Sequence, residues 1–299
     1  MALAAAGGAA APLAQGQRPP AGTPLTAQDL TARIRQNVGL EWKSETVDGF
    51  KAGDPATAIT GVATTAMASL DVLRRAVKSR ANLVITCEPT FYGRADSPTP
   101  PAGRGGPPPS EVSAGAEAKP DPVFAAKDDF IRKNGLVVWR FADHWRARKP
   151  DPFAEGLLEA LGFRSGDDPA RTSIPGTSLG DLASNIKKKL GVRGGMRIVG
   201  DPQIRVGTVA LLPGSTPIRS SLVALPAADV VIAGEVREWE SVEYARDTVT
   251  AGGKKGLILL GRAVSEDPGM NVCARWIKTL APELTTTWIP VGDPYWRPL

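Results

Sequence analysis

Short runs of β-branched and apolar residues alternate along this chain with longer stretches whose apolar residues fall three and four apart. A buried strand needs only four to eight such residues, whereas a helix needs about ten or more at a 3.6-residue period, so length and spacing separate the two. In the first half, residues 59–65 (ITGVATT), 82–86 (NLVIT) and 136–141 (LVVWRF) read as strands. Thr26, with Asp29 three residues on, opens a helix whose Leu30, Ile34 and Val38 share one face. Residues 68–79 form a second helix buried through Leu70, Leu73 and Val77. Asp121-Pro122 caps a third that runs through Phe130 and Ile131 to Gly135, and Asp151-Pro152 opens a fourth ending at Gly162.

The second half repeats the alternation. Ser178 with Asp181 starts a helix carrying Leu182, Ile186 and Leu190, closed by Gly191. Strands follow at 196–199, 205–212 and 228–234. A helix with Trp239, Val242 and Val249 leads to the strand GLILLG at 256–261, and a helix at 272–280 precedes a last strand in TTTWIPV. Such alternation predicts an α/β protein with parallel or mixed sheets. At 299 residues the chain can bury a full core. A break at 163–177, rich in Gly, Asp, Pro and Ser, divides it into lobes at 25–164 and 165–299.

Two segments fall outside this pattern. Residues 1–24 begin with MALAAAGGAAAPLAQG, an uncharged, small and apolar run with Ala14-Gln15-Gly16 as a small-residue cleavage site. It predicts export, with a disordered leader on a cytoplasmic protein as the alternative, since the basic region of an export signal is missing. Residues 97–121 hold seven prolines and four glycines in 25 positions, too little apolar area to offset ordering entropy, and predict a disordered insertion. No later segment has eighteen uninterrupted apolar residues, so no membrane span is expected.

Composition excludes several chemistries. The single histidine, His144, rules out three-histidine zinc sites and His-x-x-x-His helices, and any Ser-His or Cys-His mechanism would have to run through it. Two cysteines exclude a disulfide framework. A net charge of +5, spread along the chain, does not suggest specific nucleic-acid binding. No Gly-rich phosphate loop follows a strand.

Ligands of open α/β sheets sit at the carboxyl ends of strands. Three such ends here carry polar side chains: Cys87-Glu88 after NLVIT, Asp143-His144 after LVVWRF, and Arg262 with Glu266 after GLILLG. A thiolate, carboxylates and an imidazole converging on one crevice would make a divalent-metal site. Spacing alone does not separate that reading from ordinary charged strand ends.

The chain resembles a known family through an ordered set of words. They are TVDGFKAGDP (46–55), ITGVATTAMASLDVLRRA (59–76), NLVITCEPTFY (82–92), DPVFAAK (121–127), GLVVWRFADHW (135–145), VIAGEVREWE (231–240), LILLGRAVSEDPGM (257–270) and GDPYW (292–296). Together they are similar to the Nif-three-like dinuclear metal centre family, also known as GTP cyclohydrolase 1 type 2 homologues. The resemblance implies two similar α/β lobes with mixed sheets, a ring-shaped homohexamer, and two metal ions in a cleft fed by both lobes. Metal-assisted hydrolysis of a small substrate is the activity it suggests. Ligands would be expected at positions 87, 88, 262 and 266, with a further group from the stretch after LVVWRF.

At those positions the chain departs from its family. Histidine is expected at 87 and 262, but the residues are Cys87 and Arg262, and Arg94 stands where histidine is common. Glu88, Asp143, His144 and Glu266 remain as donors. A guanidinium has no lone pair to give a metal and brings a repelling charge. Three readings follow. The site binds one ion, zinc in preference to magnesium, through Cys87, Glu88, Asp143 and Glu266, with His144 as a further ligand or orienting group. Alternatively it is metal-free, Arg262 pairing with Glu88 or Glu266, and the protein is an oligomeric scaffold or binding protein. In the third reading Cys87 is an activated thiol.

Other features are read structurally. The repeated Gly-Asp-Pro triplets are turns, and Lys187-Lys188-Lys189 is a solvated helix end that suits the macrodipole. Trp239 is expected in the core, and Trp288, Tyr295 and Trp296 against the other lobe or a neighbouring protomer. Cys273 is expected as a buried thiol, with a Cys87–Cys273 disulfide as an option in an exported protein.

Overall fold

A computed structural model describes residues 24–93, 96, 121–164 and 168–298. The leader at 1–23, almost all of the insertion at 97–121 and Arg94 lie outside these residues. The chain opens with α1 (Ala27–Asn37), where Thr26 and Asp29 form the reciprocal capping box. It continues through β1 (Gly49–Ala52), β2 (Val62–Thr65), α2 (Leu70–Lys78), β3 (Leu83–Thr86), α3 (Pro122–Lys133) and β4 (Val137–Arg140). A short α4 (Asp143–Ala147) and α5 (Pro152–Leu161) close the first half. The second half contains β5 (Arg171–Ser178), α6 (Leu179–Leu190), β6 (Arg197–Val199), β7 (Arg205–Ser215), α7 (Ile218–Ala227) and β8 (Val230–Glu235). It ends with α8 (Glu243–Thr250), β9 (Gly256–Leu259), α9 (Arg262–Leu280) and β10 (Thr286–Trp288).

The strands form two five-stranded mixed sheets, in the orders β1-β4-β3-β2-β10 and β5-β7-β8-β9-β6. In each, parallel strands make the centre and antiparallel strands guard the edges: β1 in the first, β5 and β6 in the second. β2, β3, β4 and β9 are buried throughout, as their unbroken apolar runs require of strands covered on both faces. The expected α/β class with two mixed sheets is the observed one.

The boundary near 164 does not divide the chain cleanly. β10 returns to the first sheet, pairing Thr286, Thr287 and Trp288 with Val62, Ala63 and Thr64. Of the expected break at 163–177, residues 165–167 lie outside the described residues, and the part from Arg171 on belongs to the edge strand β5, whose Pro175 and Gly176 fall in an irregularity of the ladder. The last helix starts at Arg262, ten residues before the expected 272, and runs through Pro268. It passes between the two sheets, its Met270, Cys273 and Ile277 joining the core of the first and its Val264 that of the second. Backbone crosses closely here, since a Cβ on Gly156 of α5 would overlap the Pro268 carbonyl.

Trp239 is a correction. It sits in a single π-helical turn at Glu238–Val242 and is 73% exposed, because the apolar face of this segment turns in through Val242 and Tyr244. Tyr295 and Trp296 are also exposed, and Cys87 and Cys273 are buried free thiols with no disulfide between them. Among the described residues, no helix is long and apolar enough to cross a membrane.

Candidate functional site

The carboxyl ends of β3 and β9 meet across the cleft between the sheets. β3 delivers Cys87 and Glu88, both buried, with the Glu88 amide fixed to the Ala66 carbonyl at 2.9 Å. β9 ends at Gly261, whose φ of 84° turns the chain directly into α9. The first two turns of that helix then present Arg262 and Glu266 on one face, four residues apart. Donor atoms of Cys87, Glu88 and Glu266 lie within 4.8 Å of one another. Cys87, Glu88, Arg262 and Glu266 are thus brought together as expected.

Two guanidiniums hold the carboxylates. Arg262 Nη2 donates to Glu88 Oε1 at 2.5 Å, and its Nε lies 3.7 Å from Glu266 Oε2. Arg146, from α4, donates to Glu266 Oε1. The Glu266 side chain has no exposed surface, whereas those of Arg262 and Arg146 keep 34% and 39%. Gly214 leaves room for this pair: its φ is 83°, and a Cβ there would lie 2.5 Å from Glu266 Oε1. Its amide donates to Ser265 Oγ, and that hydroxyl donates to the Arg262 carbonyl, tying β7 to the first turn of α9.

Burial pushes the Glu266 carboxyl up, and the charge of Glu88 adds to the effect; Arg146 and Arg262 offset only part of it. Burial likewise raises the Cys87 thiol well above its ordinary range, reinforced by Glu266 and Glu88. Its Sγ donates to the Ala66 carbonyl at 3.4 Å, which fits a protonated thiol. The activated-thiol reading has no support in this geometry, because both carboxylates oppose the thiolate.

Asp143 and His144 are engaged elsewhere. Asp48, fully buried at its side chain, accepts from the amides of Ala142, Asp143 and His144 and so caps α4 from a distant loop. Its Oδ2 also lies 2.7 Å from His144 Nδ1. His144 Nε2 accepts from the Lys43 amide at 2.9 Å, and the ring stacks on Trp42 at 3.8 Å between centroids. Both ring nitrogens are therefore used, Nδ1 as donor and Nε2 as acceptor, and neither is free for a metal. Asp143 accepts from Thr46 Oγ1 and the Val47 amide. Burial raises its carboxyl, but these bonds and the nearby Arg140 outweigh it and leave the group below its usual range. Sequence reasoning missed Arg146, although it stands three residues after Asp143 at the same strand end. Asp48 carries no local signal.

As arranged, this donor set does not suit a divalent cation. Coordination needs a thiolate and free carboxylate oxygens. Here the thiol is held protonated, Glu88 and Glu266 each serve a guanidinium, and two fixed positive charges would repel an ion. Among the described residues, Glu266 Oε2 alone of the cluster's carboxylate oxygens is buried without a hydrogen-bond partner.

No protein-family model matches the chain, and no curated protein matches it in sequence. Solved structures do match. Staphylococcus aureus protein SA1388 aligns over 93% of this chain and 100% of its own, at TM-score 0.66 and 14% identity. A Bacillus cereus protein related to NIF3 aligns over 91% and 99%, at 0.65 and 13%. Protein ybgI, of unknown function, aligns over 90% and 100%, at 0.64 and 17%. The chain has the fold of these proteins.

Proposed function

We propose that this chain, built on the NIF3-like fold, is a metal-independent binding or scaffold protein in which two arginines take over the electrostatic role of metal ions. The observation that carries this reading is the 2.5 Å contact of Arg262 Nη2 with Glu88 Oε1, which occupies the carboxylate a metal would need. Arg262 pairs with Glu88 and Arg146 with Glu266, so each carboxylate already has a cationic partner without an ion. The chain would thereby keep the architecture while losing a Lewis acid and metal-bound water. Assembly into a ring of identical protomers belongs to the same proposal.

A second reading is favoured by the closeness of Cys87, Glu88 and Glu266, within 4.8 Å. They would hold one zinc ion, which could polarise a small substrate for hydrolysis once Arg262 had swung away. Elemental analysis of protein purified without added metal, then loaded with zinc and desalted, separates the two. Metal independence predicts less than about 0.1 ion per chain. About one zinc per chain, lost in Glu266→Ala, would overturn it in favour of the zinc site. For assembly, light scattering at micromolar concentration should give a multiple of the 31.4 kDa chain mass, and a monomer refutes the ring.

A further inference from the structure

The loop after α6 carries a basic pocket that the proposed function does not use. α6 ends at Gly191, in the left-handed conformation, and the Val192 amide satisfies the Lys187 carbonyl at 3.0 Å. The next three amides, of Arg193, Gly194 and Gly195, all donate to Asp293 Oδ2 at 2.8–2.9 Å. That clamp docks residues 293–297 on the loop so tightly that a Cβ on Gly194 would lie 2.7 Å from the Trp296 backbone. Arg297 then folds over the loop, donating to the carbonyls of Gly194 and Met196.

The result is a cavity of about 260 Å³ walled by Lys187, Arg193, Arg197 and Arg297, with Val192, Met196 and Ile198 as its apolar part. Among the described residues, no acidic side chain lines it. Glu238 pairs with Arg197 from outside, and Asp293 faces the loop amides. Counting both against the four cations still leaves two net positive charges. Among the described residues, the side chains of Lys187 and Arg193 make no hydrogen bond or ion pair. Two guanidiniums held in place, those of Arg197 and Arg297, beside the unpaired cations of Lys187 and Arg193 and a few apolar side chains, are the chemistry that takes a phosphoryl group. The exposed rings of Tyr295 and Trp296 belong to the segment docked on the same loop.

We infer that this pocket binds the phosphoryl group of a small molecule, with Lys187 and Arg193 as its main ligands. The cavity is too small for a large cofactor, so the occupant is either inorganic phosphate or pyrophosphate, or the phosphate end of a nucleotide. The Lys187-Lys188-Lys189 run thus contributes its first member to a binding site, while its last, Lys189, donates to the Leu161 carbonyl at the end of α5.

Full-length chain is titrated with inorganic phosphate, pyrophosphate and AMP at constant ionic strength, followed by calorimetry and tryptophan fluorescence. Saturable binding is expected for at least one, weakened at least about tenfold, or 1.4 kcal/mol, in Lys187→Ala/Arg193→Ala. Circular dichroism should show that variant folded, since neither side chain supports the fold. Preference for AMP with a fluorescence change identifies a nucleotide; preference for inorganic phosphate or pyrophosphate, without need of the nucleoside, identifies the free anion. No saturable binding of any probe up to about 10 mM, or equal binding by the double variant, overturns the inference.

Discussion

Lys127 offers a quantitative test of how the loop bearing Cys87 and Glu88 is held. It lies on α3, is 3% exposed, and donates to the Thr90 carbonyl. Its ammonium lies 4.7 Å from the centroid of the Tyr92 ring and 5.9 Å from that of Phe91. Burial lowers its pKa from 10.5 to about 8, with Asp96 opposing the shift. A fall of this size means that the charged form costs the fold about 3 kcal/mol relative to the unfolded chain. The cost is present in full below pH 8. It is relieved as pH rises from about 8 to 10.5, where the unfolded lysine holds its proton and the folded one does not.

Lys127→Met removes that titration. At pH 7 the variant gains about 3 kcal/mol and loses about 1–3 kcal/mol by leaving the Thr90 carbonyl unpaired, so it should match the parent or exceed it by up to about 2 kcal/mol. By pH 9.5 the parent recovers about 2 kcal/mol and the variant none. Urea denaturation of both proteins at pH 7, 8.5 and 9.5 measures the difference, and other titrating groups cancel between them. A stability difference constant within about 0.5 kcal/mol across this range would mean that Lys127 keeps an ordinary lysine pKa in the folded protein.

Asp48→Ala should destabilise the fold by about 3 kcal/mol or more, since it orphans the α4 amides together with the His144 Nδ1 proton, as urea denaturation would show. The single histidine makes its tautomer directly readable: ¹⁵N NMR should find Nδ1 protonated near neutral pH, and an Nε2–H tautomer would contradict the bonds to Asp48 and Lys43. Gly156→Ala should lower stability by about 1–3 kcal/mol through overpacking against Pro268, measured as a fall in Tm. Cys87 and Cys273 are both buried and their thiols raised, so a thiol reagent at pH 8 should label neither in the native protein and both in urea.

Much of the fold was written locally. Thr26 with Asp29, Asp121-Pro122, Asp151-Pro152, and Ser178 with Gly191 mark helix ends by short-range bonds that any neighbouring fold leaves intact. The apolar strands β3, β4 and β9 were equally plain. β1 and β5 were not, because an antiparallel edge strand needs no apolar run, and Pro175-Gly176 imitates a break. The start of α9 was hidden by Pro268-Gly269, which this helix accommodates where it crosses α5. At the site, strand ends located Cys87, Glu88, Arg262 and Glu266. What separates His144 from them is Asp48, 96 residues away in the chain, and no local pattern shows such a partner.

The pairing of β10 with β2 sets a timetable for biosynthesis. β2, β3 and β4 leave the ribosome early, yet one flank of β2 stays bare until the entire second sheet has been made. All four residues of β2 are buried in the finished protein, so the nascent chain carries a sticky, unpaired ribbon for most of its synthesis. Any event that delays or removes β10 leaves that ribbon open to pairing with another chain. The quality of the first half is thus decided by the last strand to arrive.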